Sequence, residues 1–475
     1  MACATPIPQV LTPKIMPTTL GAQAEVPAEG VWPQPQWWQG FQSPELAELV
    51  VTAAANNKDL AVAAARVLEA KAQYSVQRAA LFPQLSAQAQ AQRSSTSSSS
   101  TSSGSTSASG STATSSNSSS TTTANAFGLN VDASYEVDLW GLTRANVHAA
   151  NENLKSARFA QQAAALTLTA TVADTYFSVL TLRERIAIAN EDITAINSLL
   201  EAIKLRVSTG KSSHLDLAQE QAQIESVEAQ LPGLEEQELE SRVKLAVLLG
   251  QPPELLKVRE RTTAAIQTPN VSPGLASDLL LRRPDVAEAE ANLASAHANL
   301  DAARAAFLPQ FSLTSEAGYA STAIGALLRG PSFAWDAGAN LLQIVFDGGK
   351  LIGQKNLAAA TQQELIASYQ SAVLNAYADV ETALGQVKNN RKVEEHLQRE
   401  LDAAREAFDI SQLQYRQGVA ELLTVLQTQQ TLFAARDQLA QTRLARLQSV
   451  VHLYEALGGG WTEAAEDRSQ FTTGR

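Results

Sequence analysis

The stretch FGLNVDASYEV, residues 127–137, alternates apolar and polar side chains without interruption. A strict period of two is typical of a β-strand with one apolar and one polar face. Weaker alternation precedes this stretch at 85–91, and two further alternating stretches follow it at 311–319 and 333–341. The sequence therefore predicts four amphipathic strands, arranged as two hairpins.

The rest of the chain is predicted to be helical, with two very long helices. From Leu182 to Val207 the apolar residues recur at alternating spacings of three and four, which is typical of a coiled coil. The stretch from about 143 to 208 has no Pro or Gly, and as one helix it would be ~100 Å long. A similar stretch runs from about 351 to 417. Helices of this length are typical of a protein that spans a gap.

The chain also contains an internal repeat. Residues 79–86, AALFPQLS, match residues 305–312, AAFLPQFS, and Gly210 matches Gly418. The two offsets differ because a Ser/Thr-rich stretch at 94–123 lengthens the first copy. A repeat of this kind predicts two structural units of the same order: helix, strand, loop, strand, very long helix, glycine turn and helix.

Domain boundaries follow from this pattern. The predicted segments are an extended strap at 1–40, a first repeat at 41–273, a second repeat at 274–461 and a polar tail at 462–475. The predicted elements are strands at about 83–93 and 125–138 around a flexible loop at 94–123, a helical hairpin at 143–250, strands at about 309–322 and 332–346, and a helical hairpin at 350–457.

Composition excludes several function classes. The chain of 475 residues carries 48 acidic and 36 basic residues, a net charge of −12 that argues against a nucleic-acid partner. Its one cysteine, Cys3, excludes an intramolecular disulfide. The five histidines form no metal-binding motif. We therefore expect no metal, no cofactor and no catalytic group.

The strands require a membrane and more than one copy of the chain. No stretch of about 18 apolar residues occurs, which predicts no membrane-spanning helix. Four strands are too few for a transmembrane barrel, which needs about eight, and lipid does not tolerate open sheet edges. Two copies would supply eight strands and three would supply twelve. A lumen wide enough for solutes favours three.

Two tryptophans are candidates for the aromatic belts of such a barrel. Trp140 follows the second strand and Trp335 lies near the start of the fourth, so they are expected at opposite membrane interfaces. The alternative is that both are core aromatic residues.

Several motifs resemble those of one known family. The motifs are Trp37-Trp38, Arg282-Arg283-Pro284-Asp285-Val286, Phe346-Asp347-Gly348-Gly349-Lys350-Leu351, Tyr415-Arg416-x-Gly418 and Leu453-Tyr454-x-Ala456-Leu457-Gly458-Gly459-Gly460-Trp461. The sequence resembles the outer-membrane factor family, the TolC-like exit ducts, and most closely its OprM/NodT lipoprotein branch.

This resemblance implies a fold that is mostly α with membrane β. It implies a homotrimer in the bacterial outer membrane, whose 12-stranded barrel continues into an α-helical tunnel in the periplasm. It also implies a periplasmic adaptor and an inner-membrane transporter, of the RND type, as partners, with drugs or other small solutes as cargo in multidrug resistance.

Lipidation at the N-terminus is a further expectation. The start MACATPIPQV has no charged or apolar signal region. Cys3, followed by a small residue, fits the start of a mature lipoprotein behind an added Met-Ala. The resemblance implies that Cys3 carries the lipid, palmitate included. The alternative is an incidental exposed thiol.

The two glycine turns are the predicted working end of the tunnel. Each lies at the tip of a helical hairpin, so the tips are candidate adaptor contacts; their residues are Thr209, Gly210, Lys211, Gly418 and Val419. In the resembled branch a Leu, an Asp and an Arg line the closed end, at positions that correspond to Leu423, Gln427 and Gln430. Leu423 is retained, whereas the two glutamines put a ring of ion pairs in doubt.

The first hairpin offers acidic residues instead. We hypothesise that Asp216 and Glu220, one helical turn apart, hold the gate together with amide hydrogen bonds from Gln427. The alternative is that both acids are solvated residues near a helix N-terminus, where negative charge is favourable.

Three other protein classes compete with this interpretation. An outer-membrane duct for type I protein secretion would share the fold and carry protein. A periplasmic adaptor would lack membrane strands, and a coiled-coil scaffold is contradicted by the four alternating strands.

Overall fold

The structure, a computed structural model, describes residues 34–99, 119–269 and 283–459. Cys3 lies outside these ranges, as do the polar tail and most of the predicted strap.

Two compact units make up the chain. The sheet unit contains the described residues of Lys71–Asn151 and Ala294–Gln362. The helical unit contains those of Ile7–Ala70, Glu152–Leu293 and Gln363–Arg475.

One antiparallel sheet forms the sheet unit. Its strands are β1 (Gln84–Ser99), β2 (Ser119–Val137), β3 (Gln310–Ser321) and β4 (Phe333–Leu342). The order is β1-β2-β3-β4, so the two predicted hairpins are joined through β2 and β3. Each outer strand, β1 and β4, has one edge that no described strand of the chain pairs.

The first two strands are longer than predicted. Ser94 pairs with Ala124 and Ser99 pairs with Ser119, so the stretch predicted as a flexible loop at 94–123 begins and ends as strand. Strand pairing uses backbone N–H and C=O groups, which Ser and Thr supply as well as apolar residues do. Composition alone therefore overestimates the loop.

Eight helices are present in the described residues. They are α1 (Pro44–Asn56), α2 (Lys58–Ala79), α3 (Leu142–Ser208), α4 (His214–Glu228), α5 (Leu231–Leu248), α6 (Pro284–Ala305), α7 (Lys350–Gln417) and α8 (Leu422–Ala456). The two very long predicted helices are confirmed as α3 and α7. We call α3–α4 the first hairpin and α7–α8 the second hairpin.

The returning arm of the first hairpin is not one helix, as the sequence interpretation had it. It breaks between Glu228 and Leu231. Pro232 lies in the first turn of α5, where its missing N–H is tolerated, whereas inside a continuous helix its ring would clash with the carbonyl of Glu228.

An aromatic core holds the helical unit together. Trp37 stacks on Tyr454 with ring centroids 5.0 Å apart, and Phe41 contacts Phe177 at 5.1 Å. Phe41, Phe177 and neighbouring Tyr176 are fully buried. This core joins the segment before α1 to α3 and α8.

One described helix, α3, has a window that is long and apolar enough to cross a membrane by length and composition. Half of that window is buried inside the structure, and Leu168, Val172 and Val179 within α3 belong to the aromatic core. The criterion applied to the sequence was a run of about 18 consecutive apolar residues, and this window is apolar only on average. The buried residues of α3 belong to the packing of the helical unit.

Candidate functional site at the helical hairpin tips

The tips of both hairpins end in the same glycine turn. The N–H of Gly210 donates to the carbonyl of Val207 at 3.0 Å, and that of Lys211 donates to Arg206 at 2.8 Å. These are the two hydrogen bonds of a Schellman motif. Gly210 has φ +69°, a conformation that costs other residues about 1–2 kcal/mol. Thr209, Gly210 and Lys211 are all exposed.

The second tip repeats this arrangement. The N–H of Gly418, at φ +76°, donates to Tyr415 at 3.1 Å, and that of Val419 donates to Gln414 at 2.9 Å. Val419 is 75% exposed. Each tip therefore presents a rigid turn with exposed side chains, as a contact surface requires.

Side chains tie the two tips to each other. The guanidinium of Arg206 lies 4.5 Å from the ring centroid of Tyr415 and donates to its carbonyl at 3.2 Å. The hydroxyl groups of Ser212 and Tyr415 are 3.3 Å apart. The first and second hairpins of one chain thus meet at Tyr415.

Asp216 caps a helix. Its carboxylate accepts from the N–H of Ser213 at 2.9 Å, and the two residues form a capping box at the start of α4. Such a box satisfies N–H groups that the helix leaves unpaired. Asp216 therefore lies at a helix N-terminus, as the alternative to the gate hypothesis had it.

Leu423, Gln427 and Gln430 are exposed along α8. The amide of Gln430 donates to Oε1 of Gln223 on α4 at 2.7 Å, so this residue links the two hairpins. The hydrogen bonds found among the described residues do not connect Gln427 with Asp216 or Glu220.

Glu220 points into the protein. Its exposure is 0%, and neither carboxylate oxygen has a hydrogen-bond partner within the part of the chain that the structure describes. It belongs to a line of residues on α4 that we call the α4 stripe: Leu217, Glu220, Ile224 and Val227. Burial raises the pKa of Glu220 to about 7. In this place the carboxylate makes no ion pair with which to hold a gate.

Sequence reasoning missed a second buried polar residue, Gln429. Its exposure is 1%, and neither the oxygen nor the nitrogen of its amide has a hydrogen-bond partner in residues 34–99, 119–269 and 283–459. The signal was available, because Gln429 lies at coiled-coil spacing between Leu422 and Leu426 on one side and Leu432 on the other, all buried.

A group of ion pairs between α3 and α8 was also missed. Arg185 donates to both oxygens of Asp437, at 2.6 and 3.1 Å. Arg436 donates to Asp192 at 2.7 Å and also bonds Glu191. Burial raises the pKa of Asp192 to about 7, against the opposing effect of Arg436. Beside these pairs, at the α4–α5 break, lies a cleft of about 640 Å³.

Farther along the helical unit, Arg283 of the Arg-Arg-Pro-Asp motif has a structural role. Its guanidinium donates to Asp285 at 2.7 Å, to Asp379 at 3.0 Å and to the carbonyl of Ala456 at 3.2 Å. It therefore fastens the start of α6 to α7 and to the end of α8.

In the sheet unit, three carboxylates form one row across the strands. Asp132 pairs with Glu316, and Glu316 pairs with Asp336. Asn130 donates to Glu316 at 2.5 Å. Like charges placed directly opposite each other destabilise a sheet. This row therefore lowers the stability of the sheet and concentrates negative charge at one level of it.

The two belt candidates lie at different levels of the sheet. Trp335 is at the level of Val131, since both pair with Ala317. Trp140 lies beyond Val137, which is six residues or about 20 Å farther along β2. Trp335 is 72% exposed and Trp140 is 48% exposed. The indole N–H of Trp140 donates to the carbonyl of Pro309 at 2.7 Å.

Among the residues that the structure describes, no group of three or more His, Cys, Asp or Glu side chains is arranged to hold a metal ion.

Comparison with known proteins gives a consistent set of relatives. The profile of the outer membrane efflux protein family matches residues 49–251 and 275–459. The pyoverdine export outer membrane protein OpmQ of Pseudomonas aeruginosa is 39% identical over 426 residues, which are 90% of this chain and 87% of OpmQ. The toluene efflux pump outer membrane protein TtgC of Pseudomonas putida is 32% identical over 439 residues, 91% of this chain and 87% of TtgC.

Solved structures resemble the fold over nearly its whole length. The outer-membrane channel OprN superposes with a TM-score of 0.86 at 26% identity, covering 95% of this chain and 98% of OprN. The open state of the MtrE outer membrane channel of Neisseria gonorrhoeae superposes with a TM-score of 0.77 at 27% identity, covering 88% of this chain and 89% of MtrE.

Proposed function

Since this chain belongs to the outer membrane efflux protein family, we propose that three copies form one passive channel with a barrel of twelve strands, four from each copy. The protein is an efflux channel of the outer membrane, as its motifs indicated. The number of copies, the partners, the cargo and the residues of the gate belong to the proposal.

The observation that carries the proposal is the four-stranded sheet, whose two outer edges no described strand pairs. Its four strands run in one order with β1 and β4 outermost. A sheet in lipid must close, because each unpaired backbone group costs several kcal/mol. Pairing β1 of one copy with β4 of the next closes the sheet without any new element.

Exposed apolar side chains support the same assembly. Every residue of β4 is exposed in the single chain, including Phe333, Trp335 and Leu341. In the helical unit, α7 exposes Leu374 and Leu413, each at 57%. These surfaces face lipid or another copy in the proposed channel.

Native mass spectrometry of the full chain in detergent tests the number of copies. We expect a mass of three times 50.5 kDa, plus any attached lipid. The comparison is the variant Ala337→Pro/Ala339→Pro in the outer strand β4, which removes two N–H donors of that strand and should lower the share of trimer. A wild-type mass of two chains would contradict the proposal.

The cargo is proposed to be a small molecule, with a siderophore of the pyoverdine kind as the first to test. OpmQ, named for pyoverdine export, is 39% identical, whereas TtgC, named for toluene efflux, is 32% identical. The names of these relatives favour efflux over protein secretion. Export should be measured in a pyoverdine-producing host that lacks its own channel, with and without this chain, and toluene tolerance should be measured in parallel.

The tips are proposed to contact a periplasmic adaptor that serves an RND-type transporter. Photo-crosslinking amino acids at Lys211 and Val419 should capture that adaptor in living cells. The matched control is the same crosslinker at Val51, which is 64% exposed on α1 and far from the tips in the sequence. Equal capture from all three positions would contradict a docking role for the tips.

A further inference from the structure

Glu220 occupies a core position between two apolar clusters. Leu217, three residues before it, packs against an apolar cluster that includes Leu199 and Ile203 of α3. Ile224, four residues after it, packs with Ile196 of α3. Spacings of three and four place all these α4 residues on one helix face, so the carboxyl group lies where a coiled coil normally has an apolar side chain.

No described neighbour of Glu220 offsets the cost of burying its carboxyl group with a hydrogen bond or an ion pair. Both oxygens are buried without a hydrogen bond, and burial is the one cause that raises its pKa. A buried carboxylate without partners is expensive, and such a group tends to take up a proton instead.

The charged groups on the helices around the α4 stripe bond other partners or are exposed, and none of those described pairs with Glu220. Asp216, on the same helix, caps its N-terminus. On α3, Lys204 pairs with Glu201 and Arg206 bonds Tyr415. The other charged or titratable residues near this level are exposed. They are Lys211, His214, Glu225 and Glu228 at the first tip and on α4, and Asp402, Arg405, Glu406, Asp409, Arg416 and Glu421 on α7 and before α8. Arg436, farther from the second tip along α8, donates to Asp192.

Gln429 repeats the pattern on the second hairpin. It lies between Leu426, which belongs to the same apolar cluster as Ile203, and Leu432, which belongs to the same cluster as Ala404 of α7. Its amide has no partner among the described residues. The packing near the tips thus has two polar side chains whose hydrogen bonds are unmade, one on each hairpin, and any motion that admits water would satisfy both.

We propose that Glu220 sets a pH-dependent balance between a packed and a loosened state of the first hairpin at its tip: the neutral carboxyl group permits packing, and its ionisation favours the loosened, water-filled state. This inference rests on the proposed channel function, because the loosened tip is the more open end of the duct. It reverses the role hypothesised from the sequence, in which the carboxylate held the gate shut.

The direction follows from the folded-state pKa. For Glu220 it is about 7, above the ordinary value of 4.5, so packing favours the neutral form. Stability from this source is complete below about pH 4.5 and is lost as the pH rises through about 7. With these two values the ratio of loosened to packed hairpin rises roughly 70-fold between pH 5 and pH 8.

The test compares three purified channels in planar lipid bilayers at pH 5 and pH 8. We expect the open probability of the wild type to rise with pH, and that of Glu220→Gln to stay at its low-pH level. Glu225→Gln, which removes an exposed glutamate from the same helix, should retain the wild-type rise. A pH response that persists in Glu220→Gln overturns the inference.

A distance measurement separates this inference from the channel proposal. Spin labels at the exposed residues Gln221 and Gln427, in a Cys3→Ser background, should report a longer and broader distance distribution at pH 8, and no change in Glu220→Gln. If the distances respond while no channel conducts, the channel proposal fails and the switch stands. If the channels conduct while the distances do not respond to pH, the switch fails.

Discussion

Replacing Arg436 should destabilise the protein far more at pH 8 than at pH 5. Arg436 donates to Asp192 at 2.7 Å, and Asp192 is only 4% exposed. Removing one partner of a buried ion pair costs about 3–5 kcal/mol. The Arg436 side chain is 21% exposed, so water compensates in part, and we expect about 2–3 kcal/mol for Arg436→Met at pH 8.

The pH dependence follows from Asp192 itself. In the folded protein its pKa is about 7, above the ordinary 3.8, so the stability that its neutral form contributes is present at low pH and is lost as the pH rises through about 7. At pH 5 the unpaired carboxyl group of the variant is neutral. The loss then shrinks to one hydrogen bond, about 1 kcal/mol.

Thermal unfolding in detergent, followed by far-ultraviolet circular dichroism, measures both effects. We expect Arg436→Met to lower Tm by about 2–3 °C at pH 8 and by about 1 °C at pH 5. Adding Asp192→Asn should restore most of the loss at pH 8. Arg405→Met, at an exposed arginine of α7, is the control and should leave Tm unchanged. Equal losses at both pH values, or no rescue by Asp192→Asn, would refute the reasoning.

Three further predictions concern other parts of the chain. A Cβ at Gly250, where φ is +67°, would lie 2.3 Å from the carbonyl oxygen of Asn56, so Gly250→Ala should cost about 2–4 kcal/mol. Gly210→Ala, with a similar φ and open space, should cost only about 1 kcal/mol; equal Tm values would count against this difference. The triple variant Asp132→Asn, Glu316→Gln, Asp336→Asn should lower the preference of the channel for cations, and an unchanged reversal potential in a salt gradient would show that the row does not face the conducting path. Cys3→Ser should remove the mass of an attached lipid from the mature protein and its labelling by palmitate; identical masses apart from the substitution would show that Cys3 carries none.

Local sequence patterns predicted much of the fold. Period-two alternation located the four strands. The absence of Pro and Gly located α3, and a stretch without Pro and with only Gly353 and Gly385 located α7. Gly210 and Gly418 located the hairpin tips. Each of these signals depends on interactions between neighbours in the chain, either side-chain periodicity or the φ that glycine permits.

Other features depended on partners distant in the chain. The pairing of β2 with β3 could not be read from either strand alone, because register is set by the partner. Likewise, Ser94–Ser99 look disordered by composition and become a strand because Ser119–Ala124 lie opposite. The α4–α5 break has a local signal, Pro232, inside the segment that the repeat pattern predicts as one helix.

The candidate site shows the same division. Asp216 and Glu220 are four residues apart, so the sequence placed them on one face with one role. The structure separates them, because Asp216 turns back to cap the helix while Glu220 lies on the α4 stripe. The burial of Glu220 could be predicted from Leu217, Ile224 and Val227. These apolar residues lie at spacings of three and four from it, so they place Glu220 on the packed face of the helix.

The two buried carboxylates suggest how the hairpins are joined along their length. Asp192 is paired with Arg436, so at this level a partner offsets part of the cost of burying the ionised carboxylate between α3 and α8. Glu220, nearer the tip, has no partner, so separation there relieves a cost instead of creating one. We therefore expect the helices to separate first at the tip, near Glu220, and to stay packed at the level of Asp192 and Arg436. The two variants should therefore differ in kind: Arg436→Met should lower Tm, whereas Glu220→Gln should raise it at pH 8 and flatten the pH response of the channel.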